Sequence, residues 1–460
     1  MSGLRPTALA LLAAAVLAGC AAVPANEPHP AASVELPAQW SVPAPASAPT
    51  AIASHWWSQL GDPELDRVVA QALVQNNDLR TALARVREAQ AQLDIAGVAG
   101  TPQLNATLGA QSGRSLGALG PTHTRSVQPG LQASWEIDVW GRLSQLTQAA
   151  GARLVASQAD RDAVALNVAA TTVQAYVGLR ALQAQQAISA ATLAARERAL
   201  ELALDQVRVG YISQLQQTQA RAERAAVQQQ LEQLNWQVDR QLNALNLLLG
   251  QAGGAPPAAS VPLQALQLPA VPATLPSQLL ERRPDIARAA ALLAASDHQL
   301  QAQRAAFLPQ VNLSANVGSL LVNALSYNPL TVWSLGGSLL APLFDAGRLQ
   351  GQADAASAQR DQAALAYRGA VLAAFADTEN ALTGTVRLAQ QTRHAVERRD
   401  VLQQSLGFAH DRYQAGYASY IEELDAQRNL YAAELEVVRL HQAELENRVQ
   451  LYKALGGGWG

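Results

Sequence analysis

Two hydrophobic periods run along the 460-residue chain, and each occurs twice. Residues 102–111 alternate strictly. Leu104, Ala106, Leu108 and Ala110 fall on one face; Asn105, Thr107, Gly109 and Gln111 fall on the other. Leu131, Ala133, Trp135 and Ile137 alternate in the same way with Gln132, Ser134, Glu136 and Asp138. Farther on, Val311, Leu313, Ala315 and Val317 alternate with Asn312, Ser314, Asn316 and Gly318. Residues 331–341 are Gly-rich but place Trp333, Leu335 and Leu339 on one face. A period of two over such lengths predicts four strands in two hairpins, with polar loops around 113–126 and 321–329.

The second period is helical. Ile421, Leu424, Arg428, Tyr431, Leu435, Val438, Gln442, Leu445, Val449 and Tyr452 recur at heptad spacing, a seam with two polar interruptions. Val227, Leu231, Leu234, Val238, Leu245 and Leu248 form the matching seam upstream. Proline is absent between Pro129 and Pro256 and again after Pro342. Proline breaks helix interiors, so these gaps are where very long helices fit. Residues 143–207 suffice for one helix of ~95 Å at 1.5 Å per residue.

The two halves are copies. Asn77-Asp78-Leu79 aligns with Pro284-Asp285-Ile286, and Pro102-Gln103-Leu104-Asn105 with Pro309-Gln310-Val311-Asn312. Gly141-Arg142-Leu143 aligns with Gly347-Arg348-Leu349, and Leu249-Gly250 with Leu455-Gly456. The offset stays at 206 or 207 throughout, which chance does not sustain. The phrase DQVRVGYISQL at 205–215 returns as DRYQAGYASYI at 411–421. Both interrupt helical stretches, so both predict a tight turn, with Gly210 and Gly416 supplying backbone freedom.

Composition narrows the class. Hydrophobic residues make up 49% of the chain but aromatics only 5%, which suits long, alanine-rich, closely packed helices. A net charge of -3 gives no footprint for nucleic acid. Arg5 precedes an apolar run at 8–20, too short to span a bilayer, which reads as a signal peptide ending Leu17-Ala18-Gly19-Cys20. Cys20 is the only cysteine, so it forms no internal disulfide and makes a poor metal site. No metalloprotease, nucleophile-elbow, P-loop or dinucleotide motif is present, and the seven histidines sit alone in helical patterns. The sequence therefore predicts neither an enzyme nor a cofactor or metal site.

An exported chain with amphipathic strands of about ten residues matches what a tilted transmembrane strand requires. Lipid cannot satisfy an open sheet edge, so a spanning sheet must close. Four strands are too few, since the smallest closed barrels have about eight. The sequence therefore predicts an oligomer sharing one barrel. The remaining alternative class is a lipid-anchored coiled-coil scaffold, which explains the helices but not the hairpins.

Several stretches together carry a family resemblance: the lipobox-like 17–20, WWSQLGDPELDRVV at 56–69, RRPDI at 282–286, FLPQVNLSANVG at 307–318, PLFDAGR at 342–348 and RYQAGYASYIEELDAQRNL at 412–430. The chain resembles the TolC-type outer membrane factors, in particular the lipidated branch that serves tripartite RND-type efflux pumps. The resemblance implies an α+β membrane protein of two tandem repeats. Its trimer builds a twelve-stranded β-barrel, four strands per chain, continued by a twelve-helix periplasmic α-barrel. It implies lipidation of Cys20, an outer-membrane location in a Gram-negative cell, and export of drugs or other small toxic compounds. Partners implied are a periplasmic adaptor, an inner-membrane RND-type pump and outer-membrane lipid. A TolC-like exit duct for type I protein secretion is the alternative within the family.

On that resemblance the chain divides into a signal peptide (1–19), a lipidated cysteine with a proline-rich tether (20–55), repeat one (56–250, tip near 207–214), a proline-rich equatorial linker (251–283), repeat two (284–456, tip near 413–420) and a short tail (457–460). The turns Val209-Gly210-Tyr211 and Ala415-Gly416-Tyr417 match the tips where an adaptor docks. Glu422 and Asp425 match acidic side chains that line the constriction. Tyr413 matches a tyrosine that ties one helix pair to its neighbour, with Gln216 as its partner. Ala418 stands where some relatives carry an arginine latch.

Replacing Cys20 with Ser is expected to abolish lipidation but leave an assembled membrane trimer, provided the signal is still processed. A soluble periplasmic monomer after cell fractionation would sink the shared-barrel expectation.

Overall fold

The computed structural model describes residues 30–35, 37–42, 53–117, 120–257, 261–273 and 276–457. Cys20 lies outside them. The elements in chain order are α1 (Pro63–Gln75), α2 (Asn77–Val98), β1 (Gln103–Gly117), β2 (Gly120–Ile137), α3 (Arg142–Arg208), α4 (Gln214–Leu248), α5 (Leu279–Arg282), α6 (Pro284–Ala305), β3 (Gln310–Val322), β4 (Leu330–Leu340), α7 (Arg348–Gln414) and α8 (Tyr420–Ala454). The copies match in length: α2 and α6 have 22 residues each, α3 and α7 have 67, and α4 and α8 have 35. Among the described residues no helix is long and apolar enough to cross a membrane.

One compact unit is built from Glu88–Ala156 and Ala289–Arg368 and contains the sheet, in the order β1-β2-β3-β4, antiparallel throughout. Its register holds every alternation expected from sequence. Leu104 faces Ala133, Ala106 faces Leu131, Leu131 faces Val317 and Val317 faces Trp333, so one face is apolar across all four strands. Asn105, Gln132, Asn316 and Ser334 form a row on the other face. Pro129 sits in central strand β2, where proline is disfavoured because it gives no ladder hydrogen bond. The next residue, Gly130, pairs with Gly318, where a Cβ would lie 2.5 Å from the Pro129 carbonyl oxygen, so only glycine fits.

The strands are longer than the sequence suggested. The segment 113–126, expected as a loop, is paired as far as Gly117 and Gly120. Its polarity and its glycines mark a ladder that has left the apolar band, not a break in the ladder. Likewise β3 continues to Val322, and a 3-10 turn at Asn323–Leu325 occupies part of the second expected loop. Ser326 and Tyr327 follow it with φ of 50° and 57°.

Helix entry is repeated too. Asp138 accepts hydrogen bonds from the N–H groups of Leu143 (3.0 Å) and Ser144 (2.7 Å), capping α3. Asp345 accepts from Gly347 (3.0 Å) and Leu349 (2.8 Å) at α7. Each carboxylate satisfies otherwise orphaned donors and favours the helix dipole.

The other unit is built from Val34–Arg87, Ser157–Arg288 and Gly369–Gly460. Trp56, Trp57, Leu65 and Val69 pack with Val173, Tyr176, Leu245, Leu445 and Tyr452 in its main core. Trp56 stacks on Tyr452 with centroids 5.2 Å apart. The Tyr176 hydroxyl donates to Asp62 (2.6 Å) and accepts from Arg180 (2.7 Å), and burial raises the Tyr176 pKa well above its ordinary value. A second cluster joins Leu279, Ala381, Leu382, Leu451 and Leu455 with Trp40 and Val42. The expected extended tether is thus docked at 40–42: Trp40 lies 5.4 Å from the Phe375 ring, and the Ser41 N–H and hydroxyl both donate to Glu379. The proline-rich stretch 251–283 is likewise anchored, by buried Leu263, Leu266 and Leu279. Proline content alone did not reveal these apolar anchors.

Arginine at Leu108 or Leu313 is expected to cost on the order of 2–4 kcal/mol of insertion near the bilayer midplane. Arginine at Asn105 or Asn312, on the opposite face, is expected to be tolerated. Folded trimer yield measures both; equal losses on the two faces would overturn the register as a lipid-facing one.

Candidate functional site

The turn between α3 and α4 and the turn between α7 and α8 are built alike. At the first, the Tyr211 N–H donates to the Gln206 carbonyl (2.8 Å) and the Gly210 N–H to the Val207 carbonyl (3.0 Å). At the second, the Tyr417 N–H donates to Arg412 (2.9 Å) and the Gly416 N–H to Tyr413 (3.0 Å). This is the Schellman arrangement, and it needs a left-handed residue after the helix. Gly210 and Gly416 supply it at φ 75° and 76°. A Cβ added at either would meet nothing within 4 Å, so backbone conformation, not space, selects glycine.

What the turns present is apolar and exposed. Val209, Tyr211 and Leu215 lie open on the first, Tyr417 and Ile421 on the second. Tyr211 and Tyr417 are 80% and 82% exposed. Ala415 donates its N–H to Asp411 (3.0 Å) in the last turn of the helix and leads into Gly416. Such residues gain nothing from water, so two matched apolar tips are suited to contact a partner.

The polar residues near the tips fall into two groups. Glu422 and Asp425 are exposed, but neither is isolated: Glu422 lies 3.5 Å from Arg412, and Asp425 accepts from Arg428 (3.2 Å). Gln216 is not bonded to Tyr413 within the chain. Its side-chain oxygen accepts the Ser213 N–H (3.1 Å) while the Ser213 hydroxyl accepts the Gln216 N–H (3.3 Å), a capping box that commits the amide to the start of α4. Tyr413 packs instead on Tyr420, with centroids 5.7 Å apart. Burial, reinforced by the nearby Glu423 carboxylate, raises the Tyr413 pKa; burial is also the main cause at Tyr420.

The second group was not anticipated. Glu423 and Glu223 are buried. Glu423 contacts His410 Nδ1 (2.9 Å) and accepts from Gln427 (3.0 Å); His410 Nε2 in turn meets the Gln414 amide nitrogen (2.8 Å). Glu223 accepts from Arg428 Nε (3.0 Å) and from its Nη2. Arg196 is buried beside them, and desolvation lowers its pKa against the pull of Glu223. These groups come from α3, α4, α7 and α8: Arg428 joins α8 to α4 through Glu223, His410 joins α7 to α8 through Glu423, and Arg196 brings a buried cation from α3 near both carboxylates. Removing one partner of such a pair strands a buried charge, which fixes helix register more than it adds stability. One signal was in the sequence: Arg428 interrupts an apolar seam, and Glu223 sits one step before Val227 in the matching seam.

The family model for outer membrane efflux proteins matches residues 68–251 and 275–457. The pyoverdine export outer membrane protein OpmQ of Pseudomonas aeruginosa is 37% identical over 461 residues, covering 98% of this chain and 97% of its own. The cation efflux system protein CusC of Escherichia coli is 32% identical over 411 residues, with 88% of each chain covered. A crystal structure of a membrane protein from Pseudomonas aeruginosa superposes with a TM-score of 0.85 at 29% identity, covering 95% of this chain and 100% of that one. The family match covers repeat one from residue 68 and the whole of repeat two. The chain belongs to the outer membrane efflux protein family: it is an export channel of the Gram-negative outer membrane serving a tripartite efflux system, one protomer of a trimer with a twelve-stranded β-barrel and a twelve-helix α-barrel.

Proposed function

We propose that the two apolar tips, Val209-Gly210-Tyr211 and Ala415-Gly416-Tyr417, are the docking points of a periplasmic adaptor that couples this channel to an RND-type inner-membrane pump. The observation that carries the reading is the exact duplication of an exposed Schellman turn around Gly210 and Gly416. A structural turn needs the glycine, but it does not need a large exposed tyrosine directly after it. Three copies of the chain would offer six such tips, alternating in two closely related forms. Cys20 carries the lipid in this reading. The cargo is a small molecule; pyoverdine and cations are what the names of two relatives give for those proteins.

Glu422 and Asp425 form the acidic constriction in the same reading. They lie three residues apart on α8, so they share a face about one turn apart. Three-fold symmetry stacks them as two rings, and carboxylate rings attract cations. Arg412 and Arg428 temper that repulsion, since each already pairs with one of the acids. Tyr413 holds the helix pair through its packing, with Gln216 serving it only across a protomer boundary, because inside the chain Gln216 caps α4.

Gly210→Asp and Gly416→Asp are expected to uncouple the channel from its adaptor while trimers persist, read by adaptor cross-linking and by efflux. Strain from positive φ costs an L-residue about 1–2 kcal/mol per site, and Asp is among the residues that tolerate it, so the helices stay folded. Unchanged cross-linking in both variants would remove the tips as docking points.

The double replacement of Glu422 and Asp425 by Ala is expected to weaken cation selectivity and divalent block in planar bilayers. Tyr413→Phe is expected to raise resting conductance with selectivity kept. Wild-type selectivity in the double variant would place the constriction elsewhere.

A further inference from the structure

The longer strands carry a second message at the end of the sheet remote from the helices. All four helical connections leave the sheet at one end, by way of α2, α3, α6 and α7. The turns that close β1-β2 and β3-β4 lie at the other end. In the outer-membrane channel this turn end faces the exterior.

The apolar, lipid-facing rows on β2 run from Ile137 to Val127. Ten residues rise ~34 Å along a strand, or ~26 Å across the membrane at a 40° tilt, which accounts for the whole hydrocarbon band. The ladder then continues. Ser112 pairs with Arg125, Arg114 with His123 and Leu116 with Pro121. By alternation these positions stay on the face of Leu104, Leu108, Val127 and Leu131. The face toward the duct at the same height carries Gln111 opposite Ser126, Gly113 opposite Thr124 and Ser115 opposite Thr122, all neutral. The cations are therefore confined to the lipid side, immediately beyond the apolar band.

Two further observations bear on what they meet. No aspartate or glutamate occurs between Ile95 and Trp135 or between Ala306 and Phe344, so the surrounding sheet has no carboxylate of its own to offer them. Arg114, His123 and Arg125 are all exposed. Their placement is also fixed. After β3 ends at Val322, the Asn323 side chain accepts from the Arg125 N–H (3.0 Å) and donates to the His123 carbonyl (2.8 Å), extending the ladder by one more rung. That bracket prevents a one-residue slip, which would turn all three side chains toward the duct.

We propose that Arg114, His123 and Arg125 form a collar that binds the phosphate groups of phosphorylated glycolipid in the outer leaflet. A guanidinium pairs with phosphate through two parallel N–H donors, and a cation at headgroup depth on the lipid side has an anionic headgroup as its natural counter-charge. If the three groups served only to solvate an exposed hairpin, either face would do and neutral polar residues would suffice, as they do on the duct side. The inference rests on the barrel: lipid facing and exterior facing are both taken from it.

The test uses the full-length trimer in detergent, titrated with diphosphoryl lipid A, with the same lipid dephosphorylated, and with inorganic phosphate. Diphosphoryl lipid A is expected to raise the trimer melting temperature, and the other two are not. The triple variant R114S/H123Q/R125S is expected to lose that shift while keeping wild-type conductance in bilayers. A face-swapped variant, T124R/R125S, keeps the charge but moves it to the duct side and is expected to show a smaller shift than wild type. An equal shift from the phosphorylated and dephosphorylated lipids, or a full shift in the triple variant, overturns the collar. An equal response to inorganic phosphate would show anion binding without a lipid requirement and overturns it too. Failure of the barrel reading looks different: no conducting trimer forms, even from the wild-type chain.

Discussion

The constraint from which the rest follows is that a sheet edge cannot stand open in lipid. Each unpaired backbone group there costs several kcal/mol, because no water is at hand to satisfy it. Among the described residues four strands form one sheet, with β1 and β4 at its edges. Four strands do not close, so the protomer is incomplete by construction, and the trimer supplies the twelve strands of the closed barrel. Strand alternation, the close approach of Gly318 to the Pro129 carbonyl, and the polar upper hairpin all serve a wall that one chain shares with two others.

The duplication is carried by backbone contacts more than by side-chain identity. Gly250 and Gly456 both have positive φ, and a Cβ at either would lie 2.6 Å from a carbonyl oxygen, of Gln75 and Arg282 respectively. The same close approach recurs one repeat apart. The residues that support it differ: the Asn76 side chain donates to the Leu248 carbonyl (3.1 Å), and Arg283 donates to Ala454 (3.0 Å). Arg283 also pairs with Asp285 and Asp377. Although burial opposes it, that contact holds the Asp285 carboxyl below its ordinary value. One copy thus uses a neutral amide where the other uses a charged network, so equivalent helix junctions need not respond equally to pH. Asp285 contributes stability above its unfolded-state pKa, and this is lost as pH falls through the depressed folded value.

Behind the tips, the helices are held in register by polar pairs, two of which bury a carboxylate, rather than by an unbroken apolar seam. Arg428 reaches Glu223 and Asp425 together, and His410 reaches Glu423. Farther along, Ser189 and Tyr431 share a hydroxyl contact of 2.7 Å and Gln186 donates to Asn235 at 2.7 Å. Long helices with an alanine-rich, repetitive sequence slide easily against one another. Polar rungs that are satisfied only by a group on the facing helix remove that freedom, as a lone polar residue does in a coiled-coil core.

The sequence by itself determined the strand faces, the long helices, the two tip turns and the duplication. Each of these is a local property: a period of two, an absence of proline, a glycine at a left-handed position, or a constant offset. It also determined that the sheet must be shared, because the number of strands is countable and the rule of closure is general. Only the tertiary structure decided which polar residues pair. Glu422 and Glu423 are neighbours in one acidic run, yet one is exposed and the other buried against His410. Within the chain, Gln216 caps α4 and Tyr413 packs on Tyr420. Where the strands ended was also beyond the sequence, since residues 113–126 have a loop's composition and a ladder's hydrogen bonds. The physical reason is the same in each case. Periodicity reports which side of an element a residue occupies, whereas pairing depends on what another element, distant in the chain, brings opposite it.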